Sequence, residues 1–145
     1  MAEVLAVCIS EVRGICKHPV DAIHLVPGHG IDGDAHAGHW HRQVSLLAQE
    51  SVDTMQKNIT TLRLKPGDFA ENILTRGIEL KTLPIGTKLR VGTALVEVTQ
   101  IGKECHADCA IRQQVGDCVM PREGIFARVL AEGDVAGGDA LSIVE

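Results

Sequence analysis

Two short stretches hold most of the residue types that could do chemistry. The first runs from residue 99 to 130 and packs Cys105, His106, Cys109 and Cys118 among Lys103, Arg112, Arg122 and Arg128, with Glu104, Asp108, Asp117 and Glu123 as counter-charges. A thiolate is the form of cysteine that attacks an electrophile or binds a metal, and neighbouring cations lower the thiol pKa. Soft sulfur beside cationic anchors suits a soft metal, or sulfur chemistry on an anionic ligand. Lys103, Arg112, Arg122 and Arg128, with Arg42, are candidate anchors for an anion; each arginine could equally be a surface ion pair.

The second stretch, residues 28–42, reads GHGIDGDAHAGHWHR. Its glycines and aspartates mark a loop. It carries four of the chain's seven histidines, His29, His36, His39 and His41. Asp34, His36, His39 and His41 could ligate zinc, copper, iron or nickel. Their spacing follows neither His-Glu-x-x-His nor a finger pattern. The plainer reading is a polar loop lining a pocket with imidazoles and backbone N–H groups. Cys105, Cys109 and Cys118, with His106 or a loop histidine, could also complete a four-ligand zinc site. A single working thiol, with the other cysteines buried or incidental, is the simpler account. A Cys–His hydrolase pairing Cys105 with a loop histidine is a third option, supported by no nucleophile motif. Glu71 and Asn72 stand between Phe69 and Ile73. They read as a structural hydrogen-bond corner, with a ligand contact through Asn72 as the alternative.

The elements that position these residues are mostly strands. Residues 4–9 form an apolar run expected to be buried on both faces, with Cys8 an inert thiol inside it. Residues 20–26 read as a second strand ending at Pro27-Gly28. Arg42 to Ala48 leads as a strand into a short helix over 49–57, which Ser51 could cap. Ile73–Thr75 reads as a short strand. Alternation over 83–101 predicts a β-hairpin turning at Val91-Gly92-Thr93, whose second strand delivers the chain to Cys105. Residues 124–131 read as strand or helix, 133–139 as a turn and 140–144 as a closing strand. One domain over 1–145 follows, mainly β, a closed or partly open β-barrel with a few short helices.

Bulk composition narrows the function classes. Only three aromatic residues occur, Trp40, Phe69 and Phe126. Base-stacking platforms for single-stranded nucleic acid are therefore not expected. A net charge of −5 gives no broad field for a polyanion. Five cysteines without a disulfide-framework spacing, no signal-peptide pattern and no apolar run of spanning length point to a cytoplasmic protein with reduced thiols and no membrane partner.

Several blocks, in order, resemble the MOSC domain, named for the C-terminal domain of molybdenum-cofactor sulfurases. They are Gly30-Ile-Asp-Gly-Asp-Ala-His with Arg42-Gln-Val-Ser-Leu-Leu; Gly67-Asp-Phe-Ala-Glu-Asn-Ile-Leu-Thr-Arg-Gly-Ile; residues 83–100; and Gly124-Ile-Phe-Ala-Arg-Val-Leu with Val135-Ala-Gly-Gly-Asp. The resemblance implies a barrel-like β fold and a cysteine tied to molybdenum-cofactor chemistry, with Cys105, just after the Val-Thr-Gln strand, the first choice and Cys109 the competitor. It implies a module that holds or delivers molybdenum cofactor (molybdopterin), molybdate or tungstate. A sulfur carrier with a persulfide on Cys105, making it a sulfurtransferase-like accessory, is the alternative, and a zinc-stabilised domain a further one. Implied partners are cofactor-biosynthesis proteins, molybdoenzymes or a cysteine desulfurase. Pyridoxal phosphate is not expected, since these residues correspond to the MOSC domain without the aminotransferase-like region of the sulfurases.

Overall fold

A computed structural model describes residues 2–12, 16–57, 63–102 and 123–144. The elements are β1 (Glu3–Ile9), β2 (His18–Val20), β3 (Ala22–Val26), β4 (Gly30–Ile31), β5 (Val44–Ala48), α1 (Gln49–Gln56), β6 (Ile73–Arg76), a 3-10 turn (Leu80–Thr82), β7 (Lys88–Val91), β8 (Ala94–Ile101), β9 (Ile125–Ala131), β10 (Gly133–Ala136) and β11 (Leu141–Val144). The fold is mainly β. An eight-stranded sheet runs β11-β7-β8-β9-β5-β6-β1-β2, and a three-stranded sheet runs β10-β3-β4.

The parallel pair in the large sheet is β5–β6. Parallel neighbours need a crossover rather than a tight turn, and α1 lies in that connection. An eight-residue helix is too short to persist in water alone. Val52 and Met55 hold it by packing with Leu47, Phe69, Leu74 and Phe126 into a small apolar cluster. The main core fills with aliphatic side chains, among them Val4, Leu25, Ile31, Leu46, Ile73, Leu89, Val96 and Ile125, as a chain with few aromatics requires.

Among the described residues neither sheet closes into a barrel. The large sheet curls until Glu3 of β1 meets Ala140 in a single bridge. Val4 N–H donates to Asp139 O (2.8 Å), and Gly138 N–H to Val4 O (2.7 Å). No ladder follows, because β1 then turns its free edge to β2. The closed form of the expected barrel is not observed among the described residues; a partly open sheet is consistent with this arrangement.

Several local readings change. Residues 20–26 are not one strand: the chain breaks at Asp21, so that β2 pairs with β1 in the large sheet while β3 joins the small one. Residues 133–139 are not only a turn: β10 pairs with β3 along Gly133–Ala136. Ser51 does not cap α1, whose N-cap is Ala48 without a side-chain bond. The Ser51 hydroxyl instead donates to Glu123 (2.7 Å). β1 is not sealed on both faces, because Leu5 and Ala6 are only half-buried beneath the small cluster. The 83–101 hairpin is observed with its turn at Gly92-Thr93. There Gly92 has φ +56°, and a Cβ would lie 2.5 Å from Asp134 O.

Candidate functional site

The Asp34–Arg42 loop is fastened from behind before it reaches the surface. It leaves β4 through Gly33 (φ +86°), a backbone conformation that glycine adopts freely. Asp34 is buried and accepts from Lys17 Nζ (2.7 Å), Ser10 N–H (3.1 Å) and His36 N–H (3.0 Å). The Lys17 and Asp34 side chains are both fully buried. Burial alone would push the Asp34 carboxyl up; the bond and charge of Lys17, with the bond from Ser10 N–H, oppose it and the group is held well below the usual carboxylate range. Burial draws the Lys17 amine down from its ordinary value, and the bond to Asp34 opposes that shift. Lys17 Nζ also donates to His36 Nδ1 (3.1 Å). At the other end of the loop, Gln43 ties the chain to the sheet, donating to Gly38 O (3.0 Å) and accepting from Val129 N–H (2.9 Å).

Trp40 organises the rim. Its indole N–H donates to His36 O (2.7 Å). Its ring lies parallel to the His36 imidazole with centroids 6.3 Å apart. The Arg42 guanidinium sits 4.7 Å from the Trp40 ring centroid and 5.7 Å from that of Phe126. Arg42 Nε is buried and has no hydrogen-bond partner. A buried N–H without an acceptor is costly, so this atom marks a place where an acceptor belongs.

That place adjoins the root of the cysteine stretch. Phe126 stands opposite Gln100 across β8–β9. His41 Nε2 donates to Gln100 Oε1 (2.7 Å), and Gln100 Nε2 donates to Gly102 O (2.7 Å). Gly102 N–H donates to Gly124 O (2.7 Å), closing the hairpin neck through which the chain leaves and returns. Lys103, Cys105, His106, Cys109, Arg112, Cys118 and Arg122 lie outside the described residues. Arg128 is exposed and pairs with Glu97 across the same two strands (2.7 Å). It lines an open groove of about 600 Å³ together with His39, Trp40, His41 and Ile85.

The three loop histidines point to different partners. His36 meets Lys17, His41 meets Gln100, and His39 lies against Gly28. Among the described residues no three His, Cys, Asp or Glu side chains gather in a way that could hold a metal ion.

Asn72 occupies a different place, fully buried between β1 and β5. Its Oδ1 accepts from Ser45 N–H (3.0 Å) and Ser45 Oγ (3.1 Å), and its Nδ2 donates to Cys8 O (3.1 Å). Glu71, also fully buried, accepts from Gly67 N–H (2.8 Å) and Phe69 N–H (3.2 Å). Burial pushes its carboxyl up to about 7 against those bonds. Cys8 is buried, and desolvation followed by the nearby Glu71 pushes its thiol up to about 12. A thiol held protonated in this way is a poor nucleophile. Sequence reasoning overlooked Lys17 and Ser10, because nothing in the spacing of residues 10–17 announces a partner for Asp34.

The profile of the MOSC domain matches residues 33–142, and the chain belongs to this family. The solved structure of YuaD from Bacillus subtilis is similar, with a TM-score of 0.77 at 17% identity over 97% of this chain and 94% of that one. YiiM from Geobacillus stearothermophilus gives a TM-score of 0.77 at 22% identity, covering 100% of this chain and 76% of its own. YiiM from Escherichia coli gives 0.67 at 21%, covering 99% and 68%. These likenesses establish the shared fold. No curated protein sequence matches the chain.

Proposed function

We propose that this chain is a binding and delivery module for molybdenum cofactor, or for the oxyanions molybdate and tungstate, in which a thiolate of Cys105 or Cys109 works beside a cationic rim. The observation that carries this reading is Arg42. Its Nε is buried without an acceptor, and its guanidinium lies 5.7 Å from the ring of Phe126, two residues beyond Gly124 of the neck where the cysteine stretch begins and ends. A guanidinium is always charged and matches anionic oxygens in geometry, so the residue fits the phosphate or oxo groups of such a ligand. Membership of the MOSC family favours molybdenum over other soft metals.

When bound, the molybdenum centre would supply a soft acceptor for the thiolate. Arg42 would hold anionic oxygen, and Trp40 and Phe126 would keep the guanidinium flat and partly dry. Arg128 is neutralised by Glu97 and would add less.

The test is elemental and pterin analysis of protein purified anaerobically from its own host. Molybdenum and pterin near one per chain, lost on Cys105→Ser or on Cys109→Ser, is the expected result. Full retention in both variants overturns the reading. One extra sulfur on Cys105 after treatment with a cysteine desulfurase, without bound molybdenum, would replace it with sulfur carriage.

A further inference from the structure

The buried Lys17–Asp34 pair has a consequence for His36 that follows from counting hydrogens. An ammonium carries three N–H donors and no acceptor. Lys17 Nζ faces three groups: Asp34 Oδ1 at 2.7 Å, His36 Nδ1 at 3.1 Å and Ser10 Oγ at 3.4 Å. The Ser10 hydroxyl spends its own proton on Val12 O (2.9 Å), so it meets Lys17 as an acceptor. His36 Nδ1 also lies 3.7 Å from Asp34 Oδ2, beyond hydrogen-bond reach, so the ammonium at 3.1 Å sets its role and Nδ1 accepts. The ring proton is left on Nε2, since each imidazole nitrogen's role is set by the bond the other makes.

The remaining groups of the loop agree in sign. Asp34, its buried carboxylate, is spent on Lys17, Ser10 N–H and His36 N–H. The Trp40 indole N–H is spent on His36 O. Among the described residues, the groups beside the indole include the His36 ring with its Nε2–H, the His41 ring and the Arg42 guanidinium with its unpartnered Nε. An Nε2–H has no lone pair to offer a metal.

We infer that Lys17 and Asp34 are positioning residues that fix His36 as an Nε2–H donor, so that His36, like Arg42 on the same indole, offers an N–H to an oxyanion instead of a lone pair to a metal cation. The inference rests on the anionic-ligand reading above. The same chemistry could come from a free oxyanion or from a phosphate group of a larger ligand.

The experiment is a long-range proton–nitrogen spectrum of the full chain labelled with 15N-histidine, titrated separately with sodium tungstate, inorganic phosphate and zinc. His36 is expected as the Nε2–H tautomer in the free protein, with its Nε2 resonance moved by an oxyanion and not by zinc. A response to tungstate alone indicates a free metal oxyanion. A response to phosphate, with or without tungstate, indicates a phosphate-bearing ligand. An Nδ1–H tautomer, a response to zinc, or no response to either anion overturns the inference.

His36→Ala should weaken oxyanion binding by roughly tenfold or more, the scale of one hydrogen bond to a charged group. His36→Gln, whose amide can place an N–H near the Nε2 position, should restore most of it. A purely structural role for His36 would not give that rescue. The same spectra in the Cys105→Ser, Cys109→Ser double variant separate the two readings. A His36 response that persists there sustains this inference even if native protein proves free of molybdenum and pterin, and its disappearance overturns it.

Discussion

The corner around Asn72 and the rim around Arg42 are both polar, and both drew notice as ligand contacts on residue type. The fold treats them oppositely. At Asn72 every side-chain atom that can bond is engaged with backbone or with Ser45, and the residue is fully buried. At Arg42 the flat cation lies on two aromatic rings with one N–H left over. A polar residue type says little about a site; unspent hydrogen-bonding capacity says more. The corner holds β1 and β5 in place, and the rim retains something to offer a ligand.

The sharpest way to break this contrast is to remove a spent group. Lys17→Met strands the buried Asp34 carboxylate and should destabilise the protein by about 3–5 kcal/mol, measured by urea unfolding at neutral pH. A cost below about 1 kcal/mol would mean that the pair does not fasten the loop. Asn72→Ala should cost about 2–4 kcal/mol, because the buried Ser45 N–H and Cys8 carbonyl lose this partner. Folded molecules of that variant should still bind oxyanion as the parent does; selective loss of binding would move Asn72 into the site.

Glu71 sharpens the contrast through pH. Its carboxyl is raised from 4.5 to about 7. Folding therefore favours the protonated form, a contribution complete below pH 4.5 and lost as the pH rises through about 7. The loss is on the order of 3 kcal/mol. Glu71→Gln should flatten unfolding free energy against pH across that interval. Asp34 acts in the opposite direction: its depressed pKa adds stability above about 3.8 that is lost on further acidification. An unchanged slope between pH 4.5 and 7 in Glu71→Gln would assign the titration elsewhere. The smallest effect on stability is expected at the rim, where Arg42→Gln should change unfolding free energy by no more than about 1 kcal/mol.

The legible parts of the sequence were those whose signal is local. Leu89 and Val91, then Val96 and Val98, stand at alternate positions around Arg90 and Glu97, and all four are buried on one face of the β7–β8 hairpin. The Gly-rich loop and the turn before Glu71 were equally plain. What escaped depends on partners far along the chain. Nothing around Asp21 shows that the strands on either side of it belong to different sheets. Gly133-Asp134-Val135-Ala136 has the composition of a turn, but its backbone pairs with β3 and its Val135 is buried. The Ser51 hydroxyl found Glu123, 72 residues away, in place of its own helix end. Lys17 meets Asp34 across 17 residues with no periodicity to announce it. The family blocks were readable because they spread over most of the chain. The roles of Cys105, Cys109 and Cys118 were not, since no local pattern tells which of three closely spaced thiols does the work.

The most direct measurement compares molybdenum and pterin per folded chain in the parent protein and in Arg42→Gln, both purified anaerobically from the native host. The account predicts near-stoichiometric content in the parent and a loss of most of it in the variant, with unfolding free energy nearly unchanged. Full content in Arg42→Gln would contradict it.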